Sequence, residues 1–235
     1  MSVLVLIPTF NECDNLPLVV DGVLAEGYDV LVVDDASPDG TGAVADGLAV
    51  RHPGRVTVLH RTGRRGLGRS YVEAMALALA GPAEIICQMD GDRSHDPKYL
   101  PSMVAAAREG ADLVIGSRYL QGVSVVNWPL SRLILSTLAN RYVRAVTRLP
   151  VRDCTSGFRC WRREALARVP LDRIVSDGYA FLVEMLYEAS RRGCRIGEVP
   201  IIFVERRTGQ SKLSATVVIE SAITPWRVVL RRRSS

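Results

Sequence analysis

Short apolar runs alternate with longer amphipathic stretches through the first half of this chain. Val3–Ile7, Val30–Val33, Val56–Leu59 and Ile85–Met89 are continuous enough in apolar residues to predict strands buried on both faces. Asn15–Glu26, Thr41–Arg51 and Gly68–Ala80 lie between them and predict helices. That alternation is the βαβ rhythm of an α/β fold: a mostly parallel, Rossmann-like central sheet flanked by helices. Asp112–Gly116 and Val199–Phe203 read as further strands. No internal repeat or low-complexity linker divides the chain, so one domain is expected, ending in a tail that closes with Arg231-Arg232-Arg233.

Ligands of such sheets gather at the carboxyl ends of the strands. Here each apolar run ends in polar residues: Thr9-Phe10-Asn11-Glu12, Asp34-Asp35-Ala36-Ser37 and Asp90-Gly91-Asp92. The last is the most informative. Two carboxylates separated by one small residue can turn toward one ligand, and hard oxygen donors suit Mg²⁺ or Mn²⁺. Such an ion commonly completes its shell with phosphate, which points to a nucleoside-diphosphate substrate. A solvated acidic turn is the competing reading of the same three residues.

Composition narrows the class. At 235 residues and 48% hydrophobic, the chain can bury a full core. Its net charge of +5 rests almost wholly on arginine, since Lys98 and Lys212 are its lysines. The cysteines at 13, 87, 154, 160 and 194 form no C-x-x-C, and their odd number fits a reduced, cytoplasmic setting. The N-terminus runs into a strand without a basic leader, and no window of 18 residues is free of charge, so neither a signal peptide nor a transmembrane helix is expected. Gly66-Leu67-Gly68-Arg69-Ser70-Tyr71 is not a dinucleotide fingerprint, because Tyr71 stands at the third glycine position. The Arg61–Arg65 cluster could attract a nucleic acid, but it has no recognised motif or aromatic platform beside it, and no nucleic-acid partner is expected.

In order along the chain, the motifs resemble those of the polyprenol-phosphate (dolichol-phosphate) mannosyltransferases, inverting glycosyltransferases of the GT-A fold. They are Pro8–Glu12, Val33–Thr41, Gly66-Leu67-Gly68, Met89–His95, Gly116–Tyr119, Asn127-Trp128, Asp153–Arg159, Gly178–Phe181, Glu198–Ile201 and Phe203–Lys212. The resemblance implies a catalytic domain over 1–212, with a nucleotide-sugar half (1–115), an acceptor half (116–212) and an amphipathic, basic tail (213–235). It implies transfer of mannose from GDP-mannose to a polyprenyl phosphate with inversion, assisted by Mg²⁺ or Mn²⁺.

The same resemblance assigns roles. Pro8, Phe10, Glu12, Val33, Asp35 and Gly66 would line the nucleotide. Asp90 and Asp92, with Gly91 between them and Ser94 as a weaker oxygen donor, would hold the metal. Arg206 and Lys212 would reach the donor phosphates. Arg118, Arg132 and Ser136 would take the lipid phosphate, and Asp92, Arg118 and Arg132 would carry most of the catalysis. Asp39, and by the same logic Asp34, reads instead as a turn and helix-entry residue. Glu184 and Asp177 lie near family motifs without a role as base.

A helix over Ile134–Leu149 would place Ile134, Leu138, Tyr142 and Val146 in one row, opposite Arg141, Arg144 and Arg148. Either the row faces the core, or it faces acyl chains while the arginines meet headgroups. The implied partners are a nucleotide-sugar donor, a lipid acceptor, a membrane surface on its cytoplasmic face and a membrane-spanning subunit. A UDP-glucose or UDP-GlcNAc dependent transferase is the nearest alternative activity. A non-catalytic nucleotide-sugar-binding scaffold is the alternative of another class. Gly122-Val123 stands where relatives often carry a glycine pair.

Overall fold

The structure, a computed structural model, describes residues 2–204 and 223–230. Its centre is a seven-stranded sheet in the order β3-β2-β1-β4-β7-β5-β8. The strands are β1 (Val3–Thr9), β2 (Asp29–Asp34), β3 (Val56–His60), β4 (Ile85–Gln88), β5 (Leu113–Ser117), β7 (Arg159–Arg162) and β8 (Ile196–Pro200). All run parallel except β7, which is antiparallel to both its neighbours. A separate two-stranded parallel ribbon joins β6 (Val125–Val126) to β9 (Phe203–Val204).

Alternation along β1 divides the core. Val5 and Ile7 point to one face, where they meet α1 (Leu16–Ala25), α2 (Thr41–Arg51) and α4 (Leu100–Arg108) through Leu16, Val19, Leu48 and Met103. Leu6 points to the other, toward α3 (Leu67–Ala80) and α7 (Gly178–Arg191), through Tyr71, Met75, Phe181 and Met185. Coverage on both faces explains the near-continuous apolar runs of β1, β2 and β4, whereas β3, expected to be buried, lies at the sheet edge with Val56 as its buried residue. Helices α5 (Leu130–Thr147) and α6 (Arg163–Ala167) precede and follow β7 and its loop. A last helix, α8, spans 223–230.

The order of crossings fixes where ligands can bind. From β1 the chain moves outward through β2 and β3, then returns to the other side of β1 as β4. The switch point therefore opens between the carboxyl ends of β1 and β4, where Pro8–Glu12 and Asp90–Asp92 lie.

Three expectations change. Arg159–Arg162, which carries no apolar run, is a central strand; being antiparallel, it delivers the preceding loop, Asp153–Phe158, to the same rim as the carboxyl ends of its neighbours. The strand expected over Val199–Phe203 is split: β8 ends at Pro200, which has no N–H for the ladder, and Phe203 restarts in the small ribbon. Helix α5 begins earlier, at Leu130 after Pro129, and stops where Arg148 turns left-handed (φ 57°) and donates its N–H to Arg144. Its core-facing residues are Asn140, Val143 and Thr147; Ile134 and Leu138 are about half exposed, so the apolar row does not form the buried face there.

Candidate active site

The acidic turn begins one residue beyond Met89, where β4 has left the sheet. Gly91 is buried against β1: a Cβ there would meet Thr9 Cγ2 at 3.2 Å and the Pro8 carbonyl at 3.4 Å, so a larger residue would push the two carboxylates off the strand end. Asp92 Oδ1 accepts the N–H (3.0 Å) and hydroxyl (2.5 Å) of Ser94, a turn that forces Arg93 to φ 65°. Ser94 is almost wholly buried and acts on Asp92 as an orienting donor. Asp90 is oriented from two sides. The Tyr71 hydroxyl lies 3.4 Å from Oδ1, and the ring of buried His95, whose Nδ1 accepts the Asp90 N–H at 3.2 Å, lies 3.7 Å from Oδ2. Burial, and then the neighbouring Asp90 charge, push the Tyr71 phenol well above its usual range, so it stays a neutral donor.

The residues fit a divalent cation. Asp90 and Asp92 are partly exposed and two apart on one turn. Among the described residues no group of three or more His, Cys, Asp or Glu is arranged to hold a metal ion, so the protein would supply two carboxylates and leave the remaining positions to phosphate and water. That incomplete, all-oxygen set is the one Mg²⁺ accepts.

On the β1–β2 side, backbone strain marks the rim. Asn11 (φ 61°) and Ala36 (φ 54°) are left-handed in the loops after β1 and β2, as Arg93 is after β4. Such conformations persist where surrounding structure over-determines them. Asp39 ties two of these loops together, accepting from the Cys13 N–H and from the N–H and hydroxyl of Thr41 at the start of α2. Desolvation works against its charge, but those hydrogen bonds prevail and hold its pKa down to about 2. The helix-entry reading of Asp39 holds, and Asp34 accepts from the Ser37 N–H in a turn of the same kind.

Asp35 is more engaged than expected. It pairs with buried Arg61 and accepts the Gly66 N–H at 2.9 Å. Arg61 also reaches Glu73 (2.8 Å), Ser70 (3.1 Å) and the Arg64 carbonyl (3.1 Å), so it is a structural counterion and not part of an exposed basic patch. Pro8 and Val33 are buried and paired in register between β1 and β2. Arg65 lies over the Phe10 ring at 4.6 Å, and Glu12 accepts from the Asn15 amide at 2.8 Å. Gly66 is occupied from behind by Asp177, whose Oδ1 accepts both the Gly68 N–H at the start of α3 and the Gly178 N–H at the start of α7. Asp177 thus pins two helix N-termini, and Glu184 accepts the N–H groups of Val175 and Ser176.

Across the switch point, Arg118 follows β5. Its fork grips Asp153 through two bonds of 2.7 Å and Thr155 through a third of 2.8 Å, with both partners of the ion pair buried. Burial opposes both charges, but each partner outweighs it for the other: Asp153 holds the guanidinium protonated and Arg118 holds the carboxyl below its usual range. The expected role of Arg118 as a phosphate ligand therefore meets a guanidinium directed at Asp153. Arg132 sits over the Trp128 ring at 4.4 Å, and Ser136 accepts the Tyr119 hydroxyl at 2.7 Å. The buried indole N–H of Trp128 has no hydrogen-bond partner among the described residues. Arg206 and Lys212 lie outside the described residues.

One connection was not anticipated. His95, the residue against Asp90, stacks on Phe158 (4.9 Å) and meets the edge of Phe203 (5.5 Å). Phe203 meets Trp128 (5.6 Å), and Trp128 carries Arg132. A continuous row of rings joins the acidic turn to the arginine on α5. The only sequence signal for it was that these rings fall within the motif segments; their contact depends on β7 and β9. Beneath the row, Arg159 is wholly buried without a carboxylate bond, donating to the carbonyls of Ser156 and Cys154 while its Nη1 has no partner. Desolvation pulls its pKa down to about 10.

Comparison with known proteins agrees with this geometry. The sequence pattern of Glycosyl transferase family 2 matches residues 4–169. The chain is 44% identical over 220 residues to the polyprenol monophosphomannose synthase of Mycolicibacterium smegmatis, covering 93% of this chain and 83% of that one. It is 45% identical over 236 residues to the undecaprenyl-phosphate mannosyltransferase of Micrococcus luteus, covering 98% and 96%. In three dimensions it resembles glucosyl-3-phosphoglycerate synthase from Mycobacterium tuberculosis, crystallised with Mn²⁺, uridine diphosphate and glucosyl-3-phosphoglycerate. The TM-score is 0.72 at 20% identity, over 98% of this chain and 79% of that one, a likeness of fold. The chain is a glycosyltransferase with the GT-A fold, and it belongs to glycosyl transferase family 2, among the polyprenol-phosphate mannosyltransferases.

Proposed function

We propose that this protein transfers mannose from GDP-mannose to a polyprenyl phosphate, with inversion, at the cytoplasmic face of a membrane. The observation that carries the reading is the row of rings that links Asp90 to Arg132. On this reading it would connect the residues for a departing diphosphate with those for an incoming phosphate. The names of the two mannosyl-transferring relatives support the sugar and the lipid class. The cation and nucleotide in the structural neighbour support a nucleotide-sugar donor and a divalent cation.

In this mechanism Asp90 and Asp92 would hold the cation, which when bound would neutralise charge on the leaving diphosphate. Ser94, Tyr71 and His95 keep the two carboxylates in place. Arg132 and Ser136 hold the lipid phosphate, and the Trp128 N–H is a further donor within the same wall. Arg118, tied to Asp153, lies 5.6 Å from the Trp128 ring and 5.5 Å from the Phe203 ring; it supports the row of rings and adds positive charge near the acceptor. A phosphate oxygen is already anionic near neutral pH, so it attacks the anomeric carbon without a dedicated base. Rate enhancement comes from positioning and charge neutralisation.

Among the described residues no helix is long and apolar enough to cross a membrane. Docking from the surface is supported by Leu130, Ile134, Leu135 and Leu138, each 45–70% exposed on α5. Ile223, Trp226 and Leu230 on α8 are similarly exposed. A membrane-spanning subunit would be a further partner there.

The purified protein is expected to move radiolabel from GDP-mannose into chloroform-soluble lipid when given a short-chain polyprenyl phosphate and Mg²⁺ or Mn²⁺. Asp92→Asn should lower that rate about 100-fold while leaving the melting temperature nearly unchanged. Label transferred from UDP-glucose or UDP-GlcNAc in place of GDP-mannose would replace the assigned donor. Nucleotide-sugar binding without turnover would make the protein a scaffold.

A further inference from the structure

Helix α5 changes character along its length. Its first turns expose leucine and isoleucine, whereas Arg141 and Arg144 are exposed nearer its end. Beside those arginines lies a cavity of about 190 Å³, lined by Tyr119, Thr137, Asn140, Arg141, Arg144 and Arg152. Three arginines line it and no acidic residue does. Among the described residues none of the three has an ion-pair partner, unlike Arg61 and Arg118.

The walls are built, not merely exposed. Asn140 is held at both ends, donating to Thr155 and the Ser136 carbonyl and accepting from the Cys154 N–H. Thr137 donates to Leu133, Tyr119 to Ser136, and Arg152 is anchored on the Leu120 carbonyl at 2.6 Å. These polar side chains have internal partners, so an anion entering here would meet arginines on a fixed frame. The cavity adjoins the proposed acceptor site through Tyr119, which bonds Ser136, but its arginines are separate from Arg132. At 1.5 Å per residue, Arg141 and Arg144 lie roughly 14–18 Å along the helix from Arg132, too far to share one phosphate.

We propose that this cavity binds a second phosphate, the headgroup phosphodiester of an anionic membrane lipid lying beside the acceptor. The exposed apolar turns and the cationic cavity share one helix, so the two kinds of surface meet the acyl and headgroup layers of one leaflet. Arginine suits the task because its planar fork matches phosphate oxygens. The inference rests on the membrane docking proposed above and adds a lipid preference to it.

Flotation of the full chain on phosphatidylglycerol-containing vesicles, against pure phosphatidylcholine, tests it. The Arg141→Gln/Arg144→Gln variant is expected to lose about tenfold in partitioning to the anionic vesicles. Arg108→Gln/Arg148→Gln, which removes the same charge outside the cavity, is expected to change it less than twofold. Transfer to a short-chain acceptor in detergent should be unchanged in both, which separates lipid binding from folding and chemistry. Equal losses in the two variants would reduce the effect to diffuse charge and overturn the cavity assignment alone. Displacement of the protein from vesicles by millimolar glycerol phosphate would make the cavity a site for free phosphate and overturn the lipid occupant. A parent protein that floats on neither vesicle would overturn the docking reading as well.

Discussion

Two buried arginine–aspartate pairs support the rim, one on each side of the acidic turn, and they are built differently. After β3 Arg61 is shared: it holds Asp35, but also Glu73, Ser70 and a carbonyl. After β5 Arg118 and Asp153 are bound to each other through a two-bond fork, with Thr155 as the remaining partner. Glu73 is half exposed, so the first pair has access to solvent that the second lacks. A buried charge is tolerated only with its partner, so the two pairs should differ in how they fail.

The largest effect is expected at Asp153. Asp153→Ala strands Arg118 in a dry setting and should cost about 3–5 kcal/mol, read as a shift in urea midpoint or as a failure to fold. Asp35→Ala should cost about 2 kcal/mol, because Arg61 keeps Glu73 as counterion. If both variants lose the same stability, the contrast between a shared and an exclusive pair is wrong.

The smallest effect concerns the exposed carboxylate between the loops. Asp39→Ala should cost about 1 kcal/mol near neutral pH through loss of its helix-entry bonds. The folded pKa of Asp39 is depressed to about 2 from an ordinary 3.8, so its contribution is full above about pH 4 and disappears as pH falls toward 2. Melting temperatures of parent and variant should therefore converge between pH 4 and pH 2. A gap that persists at pH 2 would mean that Asp39 acts through its shape and not its charge.

Much of this was legible beforehand, for a physical reason that differs by element. Strands β1, β2 and β4 could be read because burial on both faces demands apolar runs, and α2 was placed to the residue because Asp39 and Thr41 announce its start. The place of the acidic turn at the end of β4 could be read because polar residues close an apolar run there. Strand β7 could not: its burial is earned by Trp161, bonded to Gln88, and by Arg159, bonded to backbone carbonyls, and neither gives an apolar run. For the same reason Arg61 looked like surface charge and Arg118 like an open phosphate ligand, since each partner lies 26 or 35 residues away.

The residue pattern alone determined the parallel sheet, the rim on which a ligand would sit, and the residue types that would meet phosphate and a cation. Those follow from local rules of periodicity and from the chemistry of single side chains. Only the folded molecule decided which charges are committed to one another, which rings join the acidic turn to α5, and which arginines remain around a cavity. These depend on contacts between segments far apart in the chain, and burial, not sequence spacing, sets the strength of each.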